Sequence, residues 1–132
     1  MSEQLVKSKE RLKQHGECYT PRALVLKMLR QLPVDVWEDK TKTFLDPTAG
    51  NGNFVVEVLK LKLKMGSSVI QALSTCYGCE LLEDNVQECK ERLLSVCEKF
   101  TGLTRESEWI RLVDKNVVCH DALTYDFSFG EV

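Results

Sequence analysis

Three short apolar runs, each closing on a carboxylate and a turn, constrain the fold of this chain more than any other feature. Thr43-Phe44-Leu45 runs into Asp46, Cys76-Tyr77-Gly78-Cys79 into Glu80, and Asn116-Val117-Val118-Cys119 into His120-Asp121. Between them, apolar residues recur every three to four positions: Phe54, Val58, Leu61 and Met65, then Leu82, Val86, Cys89, Leu93, Val96 or Cys97, and Phe100. Strands alternating with helices imply right-handed βαβ units, hence an α/β fold with a parallel sheet of about three strands flanked by helices.

Local signals place the helix ends. Thr20 is a good N-cap and Pro21 suits the first helical position. Leu24 or Val25, Met28, Leu29 and Leu32 then follow at helical spacing, and Pro33 stops the run. Gly66 is a stop for the helix after the first strand, and Ser67 or Ser68 opens a short helix through Val69, Ile70, Ala72 and Leu73. Asp84 with Gln87 resembles a capping box. Residues 101–114 read as a polar loop with one turn near Trp109–Leu112.

With 132 residues the chain is expected to form a single domain. Its 43% hydrophobic and 29% charged residues argue against disorder and fibrous repeats. No apolar run approaches the roughly 20 residues that span a bilayer, and the polar start Met1-Ser2-Glu3-Gln4 lacks the apolar stretch of a secretory signal. The net charge is −2, without the excess of base expected of a self-sufficient DNA binder. Residues 1–30 nonetheless hold seven Lys/Arg against three acids. Residues 1–15 thus read either as a solvated basic helix or tail or as a flexible, phosphate-contacting arm. Six cysteines without a signal peptide point to a reducing cytosol and thiols in the core, not disulfides. Cys76-Tyr77-Gly78-Cys79 has the spacing of a redox pair or half a zinc site, but no second such pair accompanies it and no metal is expected.

In an open α/β sheet, ligands sit outside the carboxyl ends of the strands. There the chain places Asp46-Pro47-Thr48-Ala49-Gly50-Asn51-Gly52-Asn53, then Glu80-Leu81, then Asp121-Ala122. The first turn is not a P-loop, having no Gly-Lys-Ser/Thr, and not a G-x-G-x-x-G, because residue 55 is Val. A rim of Asp46, Glu80 and Asp121 suits a ligand with a cation and several donors, as S-adenosylmethionine has in its ammonium, sulfonium, ribose hydroxyls and adenine amine. Gly50 and Gly52 would let the backbone approach such a ligand closely. Glu80 could accept from both ribose hydroxyls. Each acid also has a plainer reading as a helix cap or turn residue.

Tyr19-Thr20-Pro21-Arg22 before a helix, followed by Leu45-Asp46-Pro47-Thr48-Ala49-Gly50-Asn51-Gly52-Asn53-Phe54, resembles the N6-adenine DNA methyltransferases of type I and fused restriction–modification systems. The resemblance covers residues 17–129 and implies a partial Rossmann-like class I S-adenosylmethionine-dependent methyltransferase fold. It assigns Asp46 to Phe54 to the methionine moiety of S-adenosylmethionine or S-adenosylhomocysteine. Glu80, with Leu81 beside it, goes to the ribose. Asp121, with Ala122, goes to the adenine amine, while Tyr19, Thr20 and Pro21 close over the cofactor.

The family's catalytic motif, Asn/Asp-Pro-Pro-Tyr/Phe, holds the target amine and stacks a flipped adenine. This chain's prolines are Pro21, Pro33 and Pro47, so it contains no Pro-Pro. It ends about where the resemblance puts a fourth strand, with no target recognition region. No catalytic residue is therefore assigned. The expectation is a cytoplasmic cofactor-binding module, inactive alone. The alternatives are a non-catalytic regulator or decoy of a restriction–modification system and an interaction module without ligand. By the family's strand order, 3-2-1-4-5-7-6, the first strand has an open edge that recruits another strand. A second copy, a partner carrying the catalytic half, or the chain's own alternating tail Leu123-Tyr125-Phe127-Phe129 could fill it, and DNA would be met only through such a partner.

Overall fold

The computed structural model describes residues 3–15 and 17–131; Met1, Ser2, Gly16 and Val132 lie outside the described residues. In chain order the elements are α1 (Lys9–His15), α2 (Arg22–Leu29), α3 (Asp35–Glu38), β1 (Phe44–Asp46), α4 (Asn53–Lys64), α5 (Val69–Ser74), β2 (Cys76–Glu80), α6 (Glu83–Thr101), α7 (Ser107–Asn116) and β3 (Val117–Cys119). The three strands form a parallel sheet in the order β1-β2-β3. In register, Phe44 faces Cys76, Asp46 and Val117 flank Gly78, and Cys119 faces Glu80. Sheet and flanking helices make the partial Rossmann-like α/β fold the sequence implied.

Side chains alternate across a strand, so Cys76, Gly78 and Val117 share one face and Leu45, Tyr77, Cys79 and Val118 the other. Helices α4 and α6 cover the first face. A Cβ on Gly78 would stand 3.1 Å from that of Ala49 and 3.8 Å from Val55 of α4. Val55, Val58 and Leu59 of α4 meet Val86, Cys89, Leu93 and Cys97 of α6 in one buried cluster. Each fully buried aliphatic residue contributes about 2 kcal/mol by leaving water.

Cys76 and Cys79, three positions apart on β2, point to opposite faces and form neither a redox pair nor half a metal site. Burial pushes the Cys76 and Cys89 thiols up to about 12, which leaves them inert. No group among the described residues could hold a metal ion, and no described helix is long and apolar enough to cross a membrane.

Four local expectations are corrected. Pro21, not Thr20, occupies the N-cap of α2; the Thr20 carbonyl instead accepts from Asn53 Nδ2 at 2.8 Å. Asp84 and Gln87 form no capping box: Asp84 lies in the first turn of α6, bonded to Lys7 and Arg11, while Gln87 donates to Glu83. The segment read as a loop with one turn contains α7, whose Trp109, Leu112, Val113 and Asn116 recur at i, i+3, i+4 and i+7 and are all buried.

The tail is not a strand and does not reach β1. Phe127 and Phe129 adopt left-handed backbone angles, φ 55° and 48°, which break the alternation and gather the rings together. Tyr125 stacks on His120 at 4.3 Å, and Phe129 packs against Tyr77 at 4.7 Å, over β2. Aromatic burial outweighs the pairing that the period-2 pattern suggested. β1 remains an edge, with Leu45 exposed.

Candidate functional site

The turn after β1 is shaped by its own side chains and by β2. Asp46 Oδ1 accepts the Thr48 N–H at 3.0 Å, and the Ala49 N–H reaches the Cys79 carbonyl at 2.9 Å. Burial pushes the Asp46 carboxyl above its ordinary range against the lowering effect of the Thr48 bonds. Gly50 takes φ +55° and Gly52 φ +97°, and Gly52 then caps α4.

A side chain at either glycine would press on the protein itself. A Cβ on Gly50 would lie 3.2 Å from the Tyr19 ring, and one on Gly52 would lie 2.8 Å from Cys89 Sγ of α6. The expected close approach to a ligand at Gly52 is thereby replaced by a close approach to a helix.

Glu80, at the end of β2, ties the turn to α6. Its Oε1 accepts the Gly50 N–H at 3.0 Å, and its Oε2 accepts the Leu82 N–H at 3.1 Å and Asn85 Nδ2 at 3.0 Å. Arg92, one turn past Cys89, donates to the Asn51 carbonyl at 3.0 Å and to Asn53 Oδ1 at 2.8 Å. Asp121, after β3, acts in a turn: its Oδ1 accepts the Leu123 N–H at 2.9 Å.

The segment before α2 closes over this turn. Tyr19 is buried, and its hydroxyl donates to Asn85 Oδ1 at 2.8 Å. Lys7 and Arg11 pair with Asp84, and Arg11 pairs also with Glu17. These pairs hold the Asp84 carboxyl well below the usual carboxylate range, the Arg11 and Lys7 hydrogen bonds being the cause. Two of the cations of the basic start are thus spent on acids of this chain.

These elements enclose a cavity of about 580 Å³. It is lined by Tyr19, Thr20, Asp46, Pro47, Thr48, Ala49, Gly50, Asn51, Asn53, Phe54, Glu80, Leu81, Asp121 and Ala122. Of the residues singled out in the sequence, only Pro21 and Gly52 stand outside the lining, Pro21 at the head of α2 and Gly52 against α6. His15, Glu17, Cys18, Leu82 and Leu123 line it too, unforeseen. Sequence reasoning also missed Asn85 and Arg92, which hold the turn from α6. Asn85 had a signal: four residues before Cys89 on an amphipathic helix, it falls on the apolar face. Asn51 Oδ1 is buried there without a hydrogen-bond partner, an acceptor that a donor-bearing ligand would satisfy.

A family model described as N-6 DNA Methylase matches residues 2–94. The chain belongs to the N-6 DNA methylase family. The match takes in α2, the turn from Asp46 to Phe54, β2 with Glu80, and α6 as far as Leu94, and it leaves Asp121 of this methylase-family chain outside. No curated protein and no solved structure matches the chain.

Proposed function

We propose that residues 1–132 form a single S-adenosylmethionine-binding domain, the cofactor half of an adenine-N6 DNA methyltransferase. One observation carries the reading: the Asp46–Phe54 turn, Glu80 and Asp121, dispersed in sequence, line one cavity. Its volume of about 580 Å³ suits a nucleoside-sized ligand, small-molecule sites running from roughly 300 to 1,000 Å³. The donor set fits as well. Asn51 Oδ1 lacks a donor, which the ammonium of the methionine moiety would supply. Asp46 offers a carboxylate to the same cationic end, Glu80 to the ribose hydroxyls and Asp121 to the adenine amine. Tyr19 and Thr20 wall off water above the turn. When bound, S-adenosylmethionine supplies an electrophilic methyl group on its sulfonium.

Calorimetric titration with S-adenosylhomocysteine tests the reading. Saturable binding is expected, weakened roughly 10- to 100-fold in Glu80→Ala by loss of hydrogen bonds to a charged group. Absence of heat at millimolar ligand, with the protein folded, refutes it.

Methyl transfer to an exocyclic amine needs the amine held and the base stacked, and the 132 residues contain no Asn/Asp-Pro-Pro-Tyr/Phe to do either. The chain alone is expected to move no radiolabel from S-adenosylmethionine to duplex DNA. A partner with the catalytic half, or a second copy, would pair with the open edge of β1, where parallel strands are normally covered. Label transferred by the purified chain, and light scattering at monomer mass with or without such a partner, are the results against this arrangement. The alternative reading is a non-catalytic regulator or decoy of a restriction–modification system that keeps the cofactor. Transfer restored by a chain carrying Asn-Pro-Pro-Tyr decides for the first reading; its continued absence decides for the second.

A further inference from the structure

We infer that Asn85 is a positioning residue that sets how Glu80 presents its carboxylate to a ribose 2′-hydroxyl; this rests on the cofactor reading above. Asn85 is fully buried at the start of α6. Its amide nitrogen spends one hydrogen on Glu80 Oε2, at 3.0 Å, and the other on Glu17 Oε2, at 2.5 Å. Its oxygen takes the Tyr19 hydroxyl at 2.8 Å. One side chain thus joins the segment before α2, the end of β2 and the head of α6.

The chemistry of this arrangement is narrow. Two carboxylates brought to one point repel, and a neutral amide with two donors holds both without adding charge. Arg11 compensates Glu17 from the far side, with Nε at 2.8 Å from Oε1. Glu80 accepts from Gly50, Leu82 and Asn85. An ionised carboxylate offers about four lone-pair sites, so these three bonds fix its plane and leave one direction open for a ligand hydroxyl. The two backbone donors belong to the turn and to the start of α6, whereas Asn85 is the only side chain among those three donors. Remove it, and the carboxylate can rotate about the remaining two bonds.

Discrimination between ribose and deoxyribose reads this directly. Affinities for S-adenosylhomocysteine and its 2′-deoxy analogue are measured on the native chain, on Asn85→Ala, and on Val86→Ala, which loses buried volume on the same helix without removing a hydrogen bond to Glu80. The native chain and Val86→Ala are expected to favour the ribose form by roughly 10- to 100-fold. Asn85→Ala is expected to bring the two ligands within about threefold. Equal preference in all three proteins overturns the inference. A native chain that binds neither ligand overturns the cofactor reading and this inference together. On the native protein, the Asn85 side-chain amide resonances are expected to shift on saturation with S-adenosylhomocysteine and less with the deoxy analogue. Should Asn85→Ala fail to fold, identical resonance positions with both ligands count as the overturning result.

Discussion

Gly52→Ala is expected to destabilise the chain far more than Gly102→Ala, although both glycines hold left-handed backbone, φ +97° and +73°. The left-handed conformation costs an L-residue about 1–2 kcal/mol at either site. At Gly102, just past α6, a new Cβ meets nothing within 4 Å, so the cost stops there. At Gly52 it would stand 2.8 Å from Cys89 Sγ and 3.4 Å from the Cys89 Cα. The sulfur is pinned in the buried cluster between α4 and α6, and the Cα behind it is backbone, so the helices must separate. Overpacking of this kind adds about 1–3 kcal/mol. Against a total stability of about 5–15 kcal/mol this is a large fraction. Thermal unfolding followed by circular dichroism should show a midpoint lowered by roughly 10–20 °C in Gly52→Ala and by roughly half that or less in Gly102→Ala. Equal shifts in the two variants would mean that the α4–α6 contact does not require the glycine.

Gly50→Val should act on binding more than on stability. The residue lies in the cavity lining, half-buried, and its N–H feeds Glu80 Oε1. A β-branched side chain at φ +55° is a conformational outlier. Either the turn straightens and Glu80 loses a donor, or the Tyr19 ring, 3.2 Å from the new Cβ, swings away and opens the wall of the cavity. Both routes dismantle the proposed cofactor site, so affinity for S-adenosylhomocysteine is expected to fall at least about 100-fold, the equivalent of about 2.7 kcal/mol. The buried cluster between α4 and α6 is not touched, and cooperative unfolding should survive. A folded Gly50→Val that binds within about threefold of the native chain would separate this turn from the ligand.

Much of this architecture was legible in the chain itself. Helical and strand periods are local, so the order of β1, α4, β2 and α6 could be read from residues a few positions apart. The turn from Asp46 to Phe54 was equally plain, since glycines and a self-bonding Asp-x-Thr impose their geometry over a few residues. The same local reasoning failed at the tail. Tyr125, Phe127 and Phe129 alternate as a strand would, but their rings find partners at His120 and Tyr77, and burying them there overrides the pattern. It failed also at α7, whose polar residues hid a buried stripe.

Sequence alone determined which residues end the strands and, because strands joined through helices run parallel, that those ends share one edge of the sheet. Only the tertiary structure decided what each of them does there. Glu80 accepts from Gly50, 30 positions away, and Asn85 reaches Glu17 across 68. Gly52 is needed because Cys89 crosses behind it. Such contacts depend on how α6 packs over the turn, which is settled by the burial of many side chains at once. No spacing within a single segment records it.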